Sequence, residues 1–221
     1  MIKLCIFDLD GTVLSTLSTI NYFVSRTLIK YGLQGISDEE CCGFAGNGPV
    51  KLITRAFAYR GVTDEETVKR AVADYLADYD SDPFHLTEPF EGVLEMLSGL
   101  KTKGIKLAIV SNKQDSAVKA AAEHFFGGLI DLAYGSREGV PIKPHPDSVL
   151  PVLSHFGVTP CECAFIGDAD VDVLTGKNAG CGLTVAVTWG YRSREVLTSA
   201  GAQVFAESVP DILKIVTEFN K

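Results

Sequence analysis

Short apolar runs alternate with amphipathic stretches along most of the chain. Runs rich in β-branched and aromatic residues cover residues 3–9, 105–110, 163–166, 183–187 and, more weakly, 203–205. Nearly continuous apolar strands are typical of sheets that are buried on both faces. Because helical segments separate the later runs, the pattern predicts an α/β fold with a Rossmann-like parallel sheet.

The stretch from about residue 17 to residue 80 has a different pattern and interrupts this sheet. Apolar residues recur at helical spacing over 21–31 and again after Thr63. Two pairs fit the capping-box pattern of a helix N-terminus: Ser37 with Glu40, and Thr63 with Glu66. The stretch is therefore predicted to be helical throughout.

These patterns predict two domains, one of them inserted into the other. Prolines and a glycine between residues 81 and 92 mark the point where the chain returns to the sheet. We predict an α/β core domain formed by residues 1–16 and 86–221, and an α-helical cap domain formed by residues 17–85.

Composition excludes several classes of function. The chain has 221 residues, 46% of them hydrophobic, and a formal net charge of -8. This charge argues against a nucleic-acid partner. No apolar stretch reaches the roughly 18 residues of a membrane span, and no cleavable leader pattern is present. We therefore expect a cytoplasmic protein without a membrane partner, whose six cysteines are reduced thiols.

The first apolar run ends in two carboxylates, Asp8 and Asp10, followed by Gly11. Alternate residues of a strand share a face, so the two acids are expected to point the same way at the carboxyl end of the strand. Such a pair suits acid–base and nucleophilic chemistry.

Three further polar clusters follow predicted elements. Ser111 and Asn112 come after one strand, Lys143 lies between a strand and a helix next to Pro144, and Asp168 and Asp172 come after another strand. Hydroxyl, amide and ammonium groups bind anions, whereas several carboxylates in this number suit Mg²⁺ better than Ca²⁺.

The charges of these residues support a divalent cation. Ionised Asp8, Asp168 and Asp172 carry three negative charges, and Lys143 carries one positive charge. Adding Mg²⁺ brings the sum to zero, which allows a phosphate dianion to approach a carboxylate nucleophile. Asp10 is not part of this charge balance, and we expect it to exchange protons during the reaction.

In this order and spacing, the clusters resemble the four motifs of the haloacid dehalogenase superfamily, and Asp8 with Asp10 resembles its phosphatase branch. Further similarity to phosphoglycolate phosphatases lies in Lys143-Pro144-His145-Pro146 and Thr188-Trp189-Gly190-Tyr191-Arg192. The family often has an Asp and a Ser where this chain has Ser15 and Thr16.

The resemblance implies a role for each motif residue. Asp8 would be the nucleophile that forms an aspartyl-phosphate, and Asp10 the general acid and base. The implied Mg²⁺ ligands are Asp8, Asp10 through its backbone carbonyl, Asp168 and Asp172. The implied phosphate-binding residues are Ser111, Asn112 and Lys143.

The predicted cap contains candidates for substrate binding. Gly46 and Asn47 lie in a loop between two predicted helices, and Lys51 and Arg55 follow on the second helix. A carboxylate on the substrate could pair with Lys51 or Arg55.

The resulting hypothesis is a Mg²⁺-dependent phosphatase that hydrolyses a small phosphorylated metabolite such as phosphoglycolate. A β-phosphoglucomutase-like mutase and a pyrophosphatase of the same superfamily remain as alternatives, and Asp10 disfavours a dehalogenase. The sequence is compatible with a monomer or a homodimer.

Overall fold

The computed structural model describes residues 1–221. The chain divides into two compact units. The core unit consists of Met1–Leu14 and Pro89–Lys221, and the inserted unit consists of Ser15–Glu88. A cap function for the inserted unit stays a prediction.

The core unit contains a six-stranded sheet in which every pair of neighbouring strands is parallel. Its strands are β1 (Leu4–Phe7), β4 (Lys106–Gln114), β5 (Leu132–Ser136), β6 (Cys163–Gly167), β7 (Leu183–Val187) and β8 (Val204–Ala206). Their order is β5-β4-β1-β6-β7-β8. All four residues of β1 are buried, as expected for a central strand. The predicted Rossmann-like parallel sheet is confirmed.

The core unit contains six α-helices. They are α5 (Val93–Thr102), α6 (Asp115–Phe126), α7 (Leu150–Phe156), α8 (Asp170–Asn178), α9 (Arg194–Ser199) and α10 (Val209–Phe219). Helix α5 precedes β4, and the other five each follow a strand of the sheet. None of the helices in the structure is both long enough and apolar enough to cross a bilayer.

Two features of the sheet differ from the sequence expectation. Strand β5 was not predicted, because its residues Leu132–Ser136 are only half-buried and include a glycine. Strand β4 does not end at Val110, since it continues with an irregular register to Gln114, which pairs with Ser136 of β5. Ser111 and Asn112 therefore lie on the strand rather than after it.

The inserted unit is built from helices, as predicted. These are α1 (Leu17–Lys30), α2 (Asp38–Phe44), α3 (Pro49–Tyr59) and α4 (Glu65–Ser81). The short strands β2 (Leu14–Ser15) and β3 (Glu88–Pro89) pair where the chain passes from one unit to the other.

One predicted capping box is confirmed and the other is wrong. Ser37 and Glu40 exchange hydrogen bonds at the start of α2. At the start of α4 the cap is Asp64, whose carboxylate accepts the backbone N–H of Thr67 at 2.8 Å. Asp is a stronger N-cap than Thr, so the helix begins one residue later than Thr63 predicts.

Candidate active site

The chain leaves β1 directly into a tight turn that presents Asp8. The backbone N–H of Asp8 still donates to the carbonyl of Ile166 on β6, at 2.9 Å, so the sheet fixes its position. Gly11 has a φ of +86°, a left-handed conformation that costs glycine little. Asp8 is therefore held at the carboxyl end of the central strand, and only 8% of it is exposed.

Asp8, Asp168 and Asp172 form a buried carboxylate cluster. One ligand oxygen from each lies within 4.8 Å of the others. Asp168 follows β6, and Asp172 lies in the first turn of α8. Parallel strands end at the same edge of a sheet, and this is why residues so distant in sequence meet here.

Hydrogen bonds fix the orientation of Asp168. One of its oxygens accepts the hydroxyl of Thr12 at 2.8 Å, and the other accepts the backbone N–H of Tyr191 at 2.7 Å. Gly190 lies so close that a Cβ there would overlap the Asp168 side chain. The indole N–H of Trp189 donates to the carbonyl of Thr12 at 3.2 Å. The loop after β7 therefore positions both Asp168 and the Asp8 turn.

Lys143 supplies the positive charge of the cluster. Its ammonium lies 2.8 Å from Asp8 Oδ1 and 2.6 Å from Asp172 Oδ1, and its side chain is only 1% exposed. The second oxygen of Asp172 accepts the backbone N–H of Ala169 at 2.9 Å. Lys143 therefore bridges the acid at the end of β1 and the acid on α8.

Asn112 fixes the loop that carries Lys143. Its carbonyl oxygen accepts the Lys143 backbone N–H at 2.9 Å, and its amide N–H donates to the Lys143 backbone carbonyl at 3.2 Å. The neighbouring Ser111 is also buried, at 7% exposure. The side chain of Asn112 thus positions Lys143, while phosphate binding by Ser111 and Asn112 stays a prediction.

The protonation of the cluster reflects its burial. Burial, opposed by Lys143 and reinforced by Asp172 and Asp168, raises the pKa of Asp8 to about 8. Burial, together with Asp172, raises the pKa of Asp168 to about 7, although its two hydrogen-bond donors oppose the shift. Burial alone would lower the pKa of Lys143, but the two carboxylates outweigh it and raise this pKa. In the absence of a metal, Asp8 and Asp168 therefore hold their protons to a higher pH than exposed carboxylates do.

This donor set fits Mg²⁺. The cluster offers only carboxylate oxygens, which are the ligands that a hard divalent cation prefers. Three ionised acids and one ammonium leave a net charge of -2, which one Mg²⁺ would neutralise. The ligand assignment itself, including the backbone carbonyl of Asp10, stays a prediction.

Asp10 has a partner that sequence reasoning missed. Lys113 on β4 places its ammonium 3.2 Å from Asp10 Oδ1. No sequence signal places Lys113 beside Asp10, because the register of β4 becomes irregular between Val110 and Gln114. Asp170, the first residue of α8, lies 3.7 Å from the guanidinium of Arg192.

Of the predicted substrate-binding residues in the inserted unit, Arg55 and Asn47 contact each other. The guanidinium of Arg55 on α3 donates to the carbonyl of Phe44 at 2.9 Å and to the side-chain oxygen of Asn47 at 2.8 Å. Gly46 and Asn47 lie in the loop between α2 and α3, and Lys51 is exposed on α3. Arg55 therefore orders this loop, and substrate binding by these residues stays a prediction.

Comparison with known proteins supports the resemblance to the haloacid dehalogenase superfamily. Two curated phosphoglycolate phosphatases are similar over most of the chain. The protein from Mannheimia succiniciproducens is 30% identical, with 97% of this chain and 98% of the relative covered. The protein from Rhodospirillum rubrum is 31% identical, with 91% and 86% covered.

A solved structure of similar length shows the same fold. The crystal structure of a predicted phosphoglycolate phosphatase from Haemophilus somnus superposes with a TM-score of 0.90 at 27% identity. The match covers 97% of this chain and 98% of that one. Residues 5–186 match the sequence profile of the haloacid dehalogenase-like hydrolases. This chain belongs to the haloacid dehalogenase-like hydrolase family.

Proposed function

We propose that this enzyme is a Mg²⁺-dependent phosphatase that hydrolyses a small phosphomonoester of the phosphoglycolate type through an aspartyl-phosphate intermediate. The observation that carries the proposal is Lys143, buried between Asp8 and Asp172 in a three-carboxylate cluster. The two relatives described above, which match most of the chain, are named phosphoglycolate phosphatases.

Asp8 is the proposed nucleophile. It lies at the end of the central strand, and one of its oxygens accepts the backbone N–H of Leu9 at 2.7 Å. Its other oxygen would attack the phosphorus in line, displacing the leaving alkoxide and forming a phosphorus–oxygen bond to Asp8. Water then attacks this intermediate, which releases inorganic phosphate and regenerates the carboxylate.

Lys143 and the end of β4 are the proposed phosphate-binding elements. The ammonium of Lys143 lies beside the attacking carboxylate, where it would neutralise charge on a transferring phosphoryl oxygen. The buried hydroxyl of Ser111 and the donors of Asn112 would bind the remaining oxygens. Ser111 and Asn112 lie on β4, and Asn112 fixes the backbone of Lys143, so little ordering is needed at the moment of reaction.

The carboxylate cluster is the proposed metal site. Asp8, Asp168 and the backbone carbonyl of Asp10 would hold Mg²⁺, with Asp172 orienting its water ligands or Lys143. When bound, Mg²⁺ supplies Lewis-acid stabilisation of the phosphoryl oxygens. Asp10 would protonate the leaving oxygen and then accept a proton from the attacking water.

The proposed substrate is small and carries one phosphomonoester. We further propose that the loop of Gly46 and Asn47, with Lys51 and Arg55, takes part in substrate recognition. Arg55 already orders this loop through Asn47.

The test is the release of inorganic phosphate from a panel of phosphorylated metabolites, with Mg²⁺ and with EDTA. The panel contains phosphoglycolate, small sugar phosphates, pyrophosphate and nucleotides, compared by kcat/KM. We expect Mg²⁺-dependent release, fastest from a small phosphomonoester. Conversion of a sugar 1-phosphate to its 6-phosphate would identify a mutase instead, and fastest release from pyrophosphate would identify a pyrophosphatase.

The Asp8→Asn variant tests the nucleophile. Because the amide cannot form the phosphoryl ester, we expect kcat to fall by at least about 10⁴-fold with the fold retained. Circular dichroism and thermal unfolding check the fold. Turnover within tenfold of the wild type would contradict the mechanism.

A further inference from the structure

The ion pair between Asp10 and Lys113 stands apart from the buried cluster. The ammonium lies 3.2 Å from Oδ1 and 3.5 Å from Oδ2, so it faces both carboxylate oxygens. Each side chain is 16% exposed, whereas the side chain of Lys143 is 1% exposed. Asp10 is not a member of the cluster formed by the other three acids. Lys143 thus pairs with Asp8 and Asp172, whereas Lys113 pairs with Asp10.

The position of Lys113 is fixed by the strand on which it lies. Its backbone N–H donates to Ser111 Oγ at 3.3 Å, in the part of β4 where the register is irregular. A bulged strand redirects its side chains. The same short segment of β4 therefore carries Ser111, the Lys143-positioning Asn112 and the partner of Asp10.

The charges explain why Asp10 needs a partner of its own. Asp8, Asp10, Asp168 and Asp172 sum to -4, and Lys113 with Lys143 brings the total to -2, the charge that one divalent cation balances. A carboxylate two residues from Asp8 with no cation beside it would be drawn towards that metal, because unlike charges attract strongly in a partly buried site. The ammonium of Lys113 competes with the metal for the carboxylate of Asp10.

We propose that Lys113 is a positioning residue that holds the carboxylate of Asp10 outside the metal ligand set. The side chain of Asp10 then stays available for proton exchange, while the metal retains positions for water and phosphate. The proton exchange rests on the proposed phosphatase function, whereas the position of the carboxylate does not.

Calorimetric titration of Mg²⁺ into the metal-free protein tests this position. The variants are Lys113→Met and Lys113→Arg, and the control is Lys119→Met, which breaks the exposed pair of Lys119 with Asp115 on α6. If Asp10 is released towards the metal, K113M binds Mg²⁺ about tenfold more tightly, within the range of couplings seen in shared ion-pair networks. K113R and K119M keep the wild-type affinity.

The Asp10→Asn background separates positioning from simple charge removal. Loss of a nearby positive charge alone would tighten Mg²⁺ binding equally in the wild-type and D10N backgrounds. The proposal requires most of the tightening to vanish in the D10N/K113M double variant. Equal tightening in both backgrounds, or no tightening in K113M, would overturn it.

Kinetics supply the second readout. K113M is expected to lower kcat about tenfold or more and to leave KM within about twofold, because the group it misplaces acts in the transition state. K113R restores kcat, and an unchanged kcat in K113M would overturn the proposal. If the wild type hydrolyses no phosphomonoester, the proposed function fails, and the Mg²⁺ titration still decides the role of Lys113.

Discussion

Lys143 is the residue on which the charge balance of the buried cluster depends. Its ammonium contacts Asp8 and Asp172 at 2.8 and 2.6 Å, in surroundings that exclude water almost completely. Removing one partner of a buried ion pair leaves the other charge uncompensated. The cost of that loss depends on whether the acids can take up protons instead.

We predict that Lys143→Met destabilises the metal-free protein by roughly 3–5 kcal/mol at pH 8. The loss is smaller at pH 6, because Asp8, whose pKa is already raised to about 8, is then protonated in the folded state and needs no partner. Urea unfolding in EDTA measures both values.

Lys119→Met is the matched control, since it removes the same charge from an exposed pair and should change stability little. Equal stability of the two variants would show that the buried contacts of Lys143 contribute nothing.

At the scale of residues, the sequence predicted which acids meet but not how the charges pair. Asp8, Asp168 and Asp172 meet because they follow strands of one parallel sheet, which their positions after apolar runs predicted. Lys113 was missed because β4 was expected to end at Val110, and nothing in the composition of residues 111–114 indicates a continuing strand. The side-chain bonds of Asn112 to Lys143 depend on loop conformation that a linear pattern does not contain.

At the scale of elements, helix α8 places Asp172 through close packing on the sheet. Gly176, one helical turn after Asp172, faces the sheet so closely that a Cβ would overlap the Thr184 side chain on β7. The same Cβ would lie 3.2 Å from the Cβ of Phe165 on β6. The close approach at Gly176 therefore sets the distance between α8 and the sheet.

We predict that Gly176→Ala lowers the free energy of unfolding by roughly 1–3 kcal/mol, because the added methyl pushes α8 away from the sheet. Displacement of Asp172 should also weaken Mg²⁺ binding. Chemical unfolding and Mg²⁺ calorimetry measure the two effects.

The control is Gly43→Ala, another helical glycine, whose added Cβ would meet no atom within 4 Å. Alanine there should stabilise the protein by up to about 1 kcal/mol through helix propensity. Stabilisation by both substitutions would mean that α8 does not need the close contact.

Elements with strong patterns were predictable, and those that depend on neighbours were not. The apolar runs predicted β1, β6 and β7, because burial on both faces demands continuous apolar residues. Strand β5 lies at the edge of the sheet and its residues are only half-buried, so it does not need a continuous apolar run. Its sequence therefore does not predict a strand. The start of α4 was misplaced by one residue, since Thr63 and Asp64 are both acceptable caps and local geometry selects between them.

At the scale of the whole molecule, the class of fold was predictable and the order of its strands was not. Alternating strands and helices indicate a parallel sheet, but many strand orders satisfy the same pattern. The order β5-β4-β1-β6-β7-β8 emerges only from pairing between distant segments.

Global stability should depend on pH and on Mg²⁺ together. Between about pH 4 and pH 8 the folded state holds protons on Asp8 and Asp168 that the unfolded chain releases, because both pKa values are raised. The metal-free protein therefore loses stability as pH rises through this window. The proposed Mg²⁺ site requires ionised acids, so we expect Mg²⁺ binding to strengthen with pH and to release protons.

We predict that the gain in Tm on adding Mg²⁺ is larger at pH 8 than at pH 6. Thermal unfolding with Mg²⁺ and with EDTA measures the gain, and calorimetry in buffers of different ionisation enthalpy counts the released protons. A gain that is constant or falls with pH would contradict the raised pKa values.

The central strand has a consequence for synthesis on the ribosome. Residues Leu4–Phe7 are synthesised well before their two neighbours in the sheet, which begin at Lys106 and Cys163. At roughly 5–20 residues per second, the nascent segment waits on the order of ten seconds or more for its second neighbour. During that time four side chains that the folded sheet buries have no neighbouring strand, so we expect the growing chain to be prone to aggregation until β6 has been synthesised.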